Sequence, residues 1–217
     1  VSADSHNFDR VAGIYRWAEY LALGRILESV RTHWLASLRD CRQALVLGDG
    51  DGRFLAALLA QEPQLHATAV DTSAQMLALL TARCRHAAAD ANQRLTTLHA
   101  SALTVTPPPG TDLIVTHFFL DCLLQSELDE LAARLHDATA PGTLWLVSDF
   151  ALPQRPWLRL GAALYIRALY LAFRILTGLR VQQLPQINLS LPQHGFERIA
   201  RHERLGGMLF TELWRRL

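Results

Sequence analysis

Apolar positions return along this chain with two different periods, and the alternation between them predicts the element order. From residue 7 to residue 40, Trp17, Leu21, Leu27, Val30, Trp34 and Leu38 recur near helical spacing, which predicts a helical N-terminal stretch. The run Ala44 to Leu47 is short, unbroken and apolar, as in a strand buried on both faces. Phe54, Leu55, Leu58 and Leu59 then return to helical spacing. Leu65 to Val70 reads as a second strand, and Ser73 to about Ala89 as a second helix with Thr72 or Ser73 as its N-cap. Leu95 to His99, Asp112 to Phe118 and Thr143 to Phe150 are further strands, with a helix from about Ser126 to Thr139. The triple proline Pro107 to Pro109 followed by Gly110 makes a surface loop, and Pro141 with Gly142 makes a turn. Trp157 to Leu179 has Arg159, Arg167 and Arg174 on one helical face and large apolar residues on the rest, an amphipathic helix. A Pro-containing loop is expected from Leu184 to Pro192. Two strands then follow, Phe196 to Leu205 and Met208 to Leu217, with Gly206 and Gly207 as a hairpin signal. The fold class is therefore α/β, a Rossmann-like, mostly parallel seven-stranded sheet with helices on both faces and a C-terminal antiparallel hairpin.

Length and composition narrow the class. With 217 residues and 50% hydrophobic content, one well-covered domain is expected over residues 1–217. Its parts are a helical cap (1–40), a ligand-binding core (41–150), the amphipathic helix and loop (151–194) and the hairpin (195–217). A net charge of +1 supplies no pull toward nucleic acid. Cys41, Cys84 and Cys122 are scattered and odd in number, which indicates a reducing compartment, with cytoplasm as the default. No secretory signal opens the sequence. The three arginines make Trp157 to Leu179 a poor membrane span, since a central arginine costs about 2.5 to 3.5 kcal/mol on insertion. That helix can roof an apolar pocket, touch a membrane surface or pair with a second copy in a homodimer.

The chemistry concentrates in ALVLGDGDGRFL, residues 44–55, where a strand gives way to a helix through Gly48, Gly50 and Gly52. Glycines admit positive φ and let a ligand approach the backbone, and the amides at a helix start are free to donate. The third position of a dinucleotide fingerprint falls on Arg53 or Leu55, which speaks against NAD. A P-loop needs lysine, and this chain has none. Asp49 and Asp51 would repel a pyrophosphate and suit a ligand with positive charge. Asp71, ending the second strand, is placed to hold ribose hydroxyls.

On these residues the chain resembles the class I S-adenosylmethionine-dependent methyltransferases, in their small-molecule and quinone-type branch. The resemblance rests on Gly48, Gly50 and Gly52, on Asp71 with Thr72, Ser73 and Met76, and on the segments TDLIVTHFFLDCL and PGTLWLVSDF. The N-terminal FDRVAGIYRWAEYL is similar to the opening segment of that branch. The resemblance implies S-adenosylmethionine as cofactor, with Gly48, Asp49, Gly50 and Gly52 at its methionine end. It likewise implies Asp71 and Thr72 at the ribose, and Met76, Ser101 and Ala102 at the adenine. Two positions depart from the family pattern: Val46 stands where an acidic residue precedes the first glycine, and Ser101 where an aspartate meets the adenine edge.

His117 and Asp121, at the end of the fourth strand, would face the reacting methyl group. His117 is read as a general base or as a residue packed beside the cofactor, and Asp121 as a catalytic or a helix-start carboxylate. Phe118 and Tyr15 are candidate substrate contacts, and Tyr20 is a further aromatic that would close over the cofactor or pack in a helix. No metal-ligand spacing is present. The expected function is methyl transfer to a small, fairly apolar acceptor. The alternatives are a lipid or quinone methyltransferase at the membrane surface and a cofactor-binding protein without turnover.

Overall fold

The computed structural model describes residues 24–153, 157, 160–164 and 184–217. Tyr15, Tyr20 and most of the amphipathic segment lie outside the described residues. Of that segment, residue 157 and residues 160–164 are helical.

Seven strands form one sheet: β1 (Gln43–Leu47), β2 (His66–Asp71), β3 (Leu95–His99), β4 (Leu113–His117), β5 (Leu144–Phe150), β6 (Phe196–Arg204) and β7 (Leu209–Arg216). Their spatial order is β3-β2-β1-β4-β5-β7-β6. The first five run parallel, and β7 pairs antiparallel with both β5 and β6. The expected hairpin is therefore present, turning at Leu205 to Gly207 with Gly206 and Gly207 both at positive φ.

Strand alternation divides the core in two. Ala44 and Val46 of β1 face Phe54, Leu55, Leu58 and Leu59 of α2 (Arg53–Gln61) and Leu80 and Cys84 of α3 (Ala74–Ala87). Leu45 and Leu47 face the other way, into a cluster with Leu128, Leu131 and Leu135 of α5 (Gln125–Ala138), Trp145 and Trp214. Each such buried leucine or aromatic contributes about 1.5 to 3 kcal/mol, so this two-sided pattern is the main reason the sheet is a middle layer.

One local expectation is corrected and two stretches gain detail. Within residues 24–40, α1 (Gly24–Arg31) is followed by a separate 3₁₀ turn, Leu35–Leu38. A short helix, α4 (Ala91–Arg94), precedes β3. The expected loop from Leu184 to Pro192 contains α6 (Ile187–Gln193). Its apolar pair Ile187 and Leu191, one turn apart, is buried against the α5 side of the core, and Ser190 Oγ donates to Asp129 Oδ1 at 2.5 Å. Burial and that tie outweigh the proline signal, because Pro192 sits in the last turn, where the loss of one amide disturbs least.

Arg94 shows how α4 is held. It is 6% exposed, and its guanidinium donates to the carbonyls of Leu59 (2.9 Å), Glu62 (3.1 Å) and Leu65 (3.1 Å) and to the Asp90 carboxylate. Charge-assisted bonds to the carbonyls at and just beyond the end of α2 are the strong kind. Arg94→Ala should destabilise the protein by about 3 kcal/mol, read as a fall in the urea midpoint with unchanged slope.

Candidate active site

Strand order reverses between β1 and β4: from β1 the chain winds outward through β2 and β3, then returns to β4 on the other flank. Ligands in open α/β sheets bind at the carboxyl ends of strands at such a point. The candidate residues assemble along this edge. Gly48 follows β1, Asp71 ends β2, Ser101 and Ala102 follow β3, and His117 ends β4.

The turn after β1 requires its glycines. Gly48, Gly50 and Gly52 have φ of 68°, 58° and 77°, a region costly to other residues. A Cβ on Gly52 would fall 2.6 Å from Leu80 Cγ and 2.8 Å from its Cα, so this glycine lets α2 lie against α3. A Cβ on Gly48 would fall 2.7 Å from Phe119 Cδ2, so the ring of Phe119 closes across the crevice onto the first glycine. At Gly50 a Cβ would meet no described atom within 4 Å. The backbone there is open to a ligand.

The acidic residues of the turn are engaged differently from what their charge alone suggests. Asp49 is 7% exposed, and its carboxylate accepts from the Leu55 amide at 3.0 Å, satisfying a donor in the first turn of α2. Asp51 is bonded by Arg53 at 3.3 Å and by Arg83 at 2.7 Å, and Arg83 Nε also donates to the Asp51 carbonyl at 2.9 Å. Arg83 thus fastens the glycine turn to α3, and it neutralises the charge the sequence reading assigned to the ligand.

Asp71 Oδ1 accepts from the Ser73 amide at 2.8 Å, and Ser73 Oγ accepts from the Met76 amide at 3.2 Å, which establishes Ser73 as the N-cap of α3. Thr72 is exposed, with its carbonyl 2.9 Å from His99 Nε2. Met76 is half-buried one turn further on. Ser101 Oγ accepts from the Leu103 amide at 3.2 Å. Arg134 of α5 donates to the carbonyls of Leu103 and Ala102, the latter at 2.7 Å, and so pins the segment after β3.

His117 is 2% exposed, its ring edge-on to Phe54 with centroids 4.4 Å apart, and neither ring nitrogen has a hydrogen-bond partner among the described residues. Burial, with the nearby Arg31 charge, pushes its pKa well below the usual imidazole value, so the ring is neutral and weakly basic at neutral pH. Phe118 carries a positive φ of 53°, an uncommon geometry for an aromatic residue. It turns the chain so that the Phe118 ring meets Phe150 at 5.2 Å, under the Arg31 guanidinium at 5.0 Å.

Beyond Phe118, the 3₁₀ turn Leu120–Cys122 brings Asp121 to Asp149 of β5. Both carboxylates are buried, and Asp149 Oδ2 accepts from the Asp121 amide at 3.0 Å. Burial pushes Asp121 up to about 6, while burial and the facing charge of Asp121 push Asp149 well above the carboxylate range. Next to this pair, a cleft of about 550 Å³ lies between the end of β5, the start of α6 and the hairpin turn. Phe150, Leu152, Ile187 and Phe210 line it, with Gln186, Asn188, Arg201 and Glu203 among the polar groups. Arg201 is bonded to Glu203 at 2.7 Å and to the buried Glu212, so its charge is matched within the hairpin.

Residues 45–144 match the methyltransferase domain family. The match runs from within β1 to the first residue of β5. A methyltransferase domain of this kind implies S-adenosylmethionine as the cofactor. Solved structures share the fold of the methyltransferase domain. The mitomycin 7-O-methyltransferase MmcR is 18% identical with a TM-score of 0.71, covering 97% of this chain and 60% of its own. The S-adenosylmethionine-dependent methyltransferase SibL is 20% identical with a TM-score of 0.66, covering 94% of this chain and 57% of its own. The N-methyltransferase NodS from Bradyrhizobium japonicum is 12% identical with a TM-score of 0.61, covering 89% of this chain and 96% of its own. The chain therefore spans about 60% of the length of the first two. No curated protein sequence matches it.

The residues present fit the cofactor: an open backbone at Gly50, left-handed glycines on either side of it, and a carboxylate at the end of β2. Arg83, Arg134 and Asp149 join the site without having been singled out from the sequence. Asp149 alone carried a signal, a carboxylate inside the otherwise apolar run Leu144 to Val147 and Phe150. Among the described residues no helix is long and apolar enough to cross a membrane.

Proposed function

We propose that this chain is a methyltransferase that binds S-adenosylmethionine in the β1/β4 crevice and methylates a small, fairly apolar acceptor. The observation that carries the reading is the open glycine turn at the switch point, with a cleft of about 550 Å³ lined by Phe150, Leu152, Ile187 and Phe210 one strand away. That volume lies within the usual range of small-molecule sites. When bound, S-adenosylmethionine supplies an electrophilic sulfonium methyl and leaves as S-adenosylhomocysteine.

The chain's residues divide the remaining work. Gly48, Asp49, Gly50 and Gly52 hold the methionine end, Asp71 and Thr72 the ribose, and Met76, Ser101 and Ala102 the adenine, with His117 as a neutral packing residue below the crevice. Phe118 and Tyr15 bound the acceptor. Orienting the acceptor's nucleophilic atom is the larger contribution, since proximity alone can supply several kcal/mol, on the order of 7 to 11 at best. Asp121 is the better proton acceptor of the two catalytic candidates, because burial raises its basicity while burial lowers that of His117. Three free thiols, two of them buried, support a reducing, cytoplasmic setting.

Transfer of a labelled methyl group from S-adenosylmethionine to a panel of phenols, catechols and hydroxyquinones tests the reading. Turnover of at least one acceptor is expected. Cofactor binding without turnover of any acceptor in the panel would favour a binding protein instead. For an active acceptor, the rate should fall as pH drops below about 6, where Asp121 takes up a proton. Asp121→Asn should lower kcat by about 10² to 10⁴, the usual contribution of a general base, while the affinity for S-adenosylhomocysteine holds. A flat acid limb in the wild type would remove Asp121 from the chemistry.

A further inference from the structure

Asp149 is fully buried at the carboxyl end of β5. In a strand whose other residues are apolar or small, a carboxylate is expensive unless it is bonded. It is bonded on both oxygens, and to backbone: Oδ2 accepts from the Asp121 amide at 3.0 Å and Oδ1 from the Phe150 amide at 2.8 Å. These two amides belong to different elements. The first opens the Leu120–Cys122 turn that leaves β4, and the second belongs to β5 itself. One side chain therefore ties the exit of one strand to the end of its neighbour, at the place where Phe118 departs from ordinary backbone geometry. The turn that it ties down carries Asp121.

We infer that Asp149 is a positioning residue, whose carboxylate clamps the Leu120–Cys122 turn to the end of β5 and so holds the Asp121 side chain buried beside the carboxyl end of β4. This rests on the reading of Asp121 as proton acceptor only for its catalytic meaning; the clamp stands on the hydrogen bonds. Cys122 Sγ donates to Asp121 Oδ1 at 3.5 Å, and beside the two carboxylates its thiol stays neutral. His117 is neutral as well, while burial raises both Asp121 and Asp149, Asp149 further through the facing Asp121 charge.

The clamp has a consequence that simple packing lacks. Asn at position 149 keeps the shape but offers one acceptor oxygen where Asp offers two, so one of the two amides loses its partner. Loosening the turn lets water reach the Asp121 side chain and relieves the burial that raises it, so its titration falls toward the ordinary aspartate value of about 3.9.

The test is a carbon-13 NMR titration of the aspartate carboxyl groups in the full chain, wild type and Asp149→Asn, which needs no acceptor. The Asp121 midpoint is expected to fall by more than one pH unit in the variant. An unchanged midpoint in a folded variant would overturn the proposal, since a residue that only adds stability would lower the melting temperature and leave Asp121 alone. Should the variant fail to fold, the wild type still decides. The Asp121 backbone amide shift must follow the titration of the Asp149 carboxyl to which it donates, and an amide that ignores that titration refutes the clamp. The two readings separate in turn. A midpoint that moves in Asp149→Asn, with full turnover in Asp121→Asn, keeps the clamp and discards the base. An unmoved midpoint with turnover lost in Asp121→Asn does the reverse.

Discussion

Gly52→Ala is expected to lower both the stability of the fold and the affinity for S-adenosylhomocysteine. The added Cβ would stand 2.6 Å from Leu80 Cγ and 2.8 Å from Leu80 Cα, and the second of these is backbone that cannot swing aside. Overpacking of this kind costs about 1 to 3 kcal/mol, and the left-handed φ of 77° adds about 1 to 2 kcal/mol for a residue with a Cβ. For a chain of this size the melting temperature should fall by roughly 5 to 15 °C. Because α2 and α3 must separate to admit the methyl group, the glycine turn moves with them, and affinity should drop at least tenfold. Gly50→Ala is the informative partner. There the added Cβ meets no described atom within 4 Å, so stability should fall only by the φ term, while affinity falls as much or more, since the methyl group would occupy ligand space. Differential scanning fluorimetry and titration calorimetry on the two variants read both quantities. Equal losses of affinity and stability in Gly50→Ala would mean that the turn is structural only.

Asp71→Ala carries the second large effect. A carboxylate bonded to ribose hydroxyls is worth about 1.5 to 3 kcal/mol, so the dissociation constant for S-adenosylhomocysteine should rise roughly ten- to hundredfold. The same carboxylate also accepts from the Ser73 amide at 2.8 Å at the start of α3, so part of the loss in the alanine variant would come from the turn itself. Asp71→Asn separates the two, because its amide oxygen can still accept from Ser73 while the charge is gone. Intermediate affinity with near-native melting is expected for Asn. Native affinity in Asp71→Ala would place the ribose elsewhere.

The extent to which the site was legible follows from where each signal resides. The strands of the parallel half are local apolar runs, so Ala44 to Leu47 and Leu65 to Val70 could be read within a residue of β1 and β2. Glycine at alternate positions is likewise a local demand of backbone geometry, and all three glycines have the positive φ it requires. The residues that were missed act across long separations. Arg83 reaches Asp51 over 32 positions, Arg134 reaches Ala102 over 32, and Asp149 reaches Asp121 over 28. Spacing along the chain carries no trace of such pairs. The helix Ile187–Gln193 was missed for a different reason: Pro185 and Pro192 are local breakers, whereas its stability comes from Leu191 and Ile187 buried against the α5 side of the core. The charge pattern along the sequence likewise gave no sign that Asp49 and Asp51 find partners within the protein, an amide for one and two arginines for the other.

Calorimetric titration of S-adenosylhomocysteine into the full chain, with NAD as comparator, tests the central claim most directly. Saturable one-to-one binding of S-adenosylhomocysteine that weakens at least tenfold in Gly50→Ala, with no heat from NAD, is the predicted result. Binding of NAD without binding of S-adenosylhomocysteine would contradict the assignment of the glycine turn.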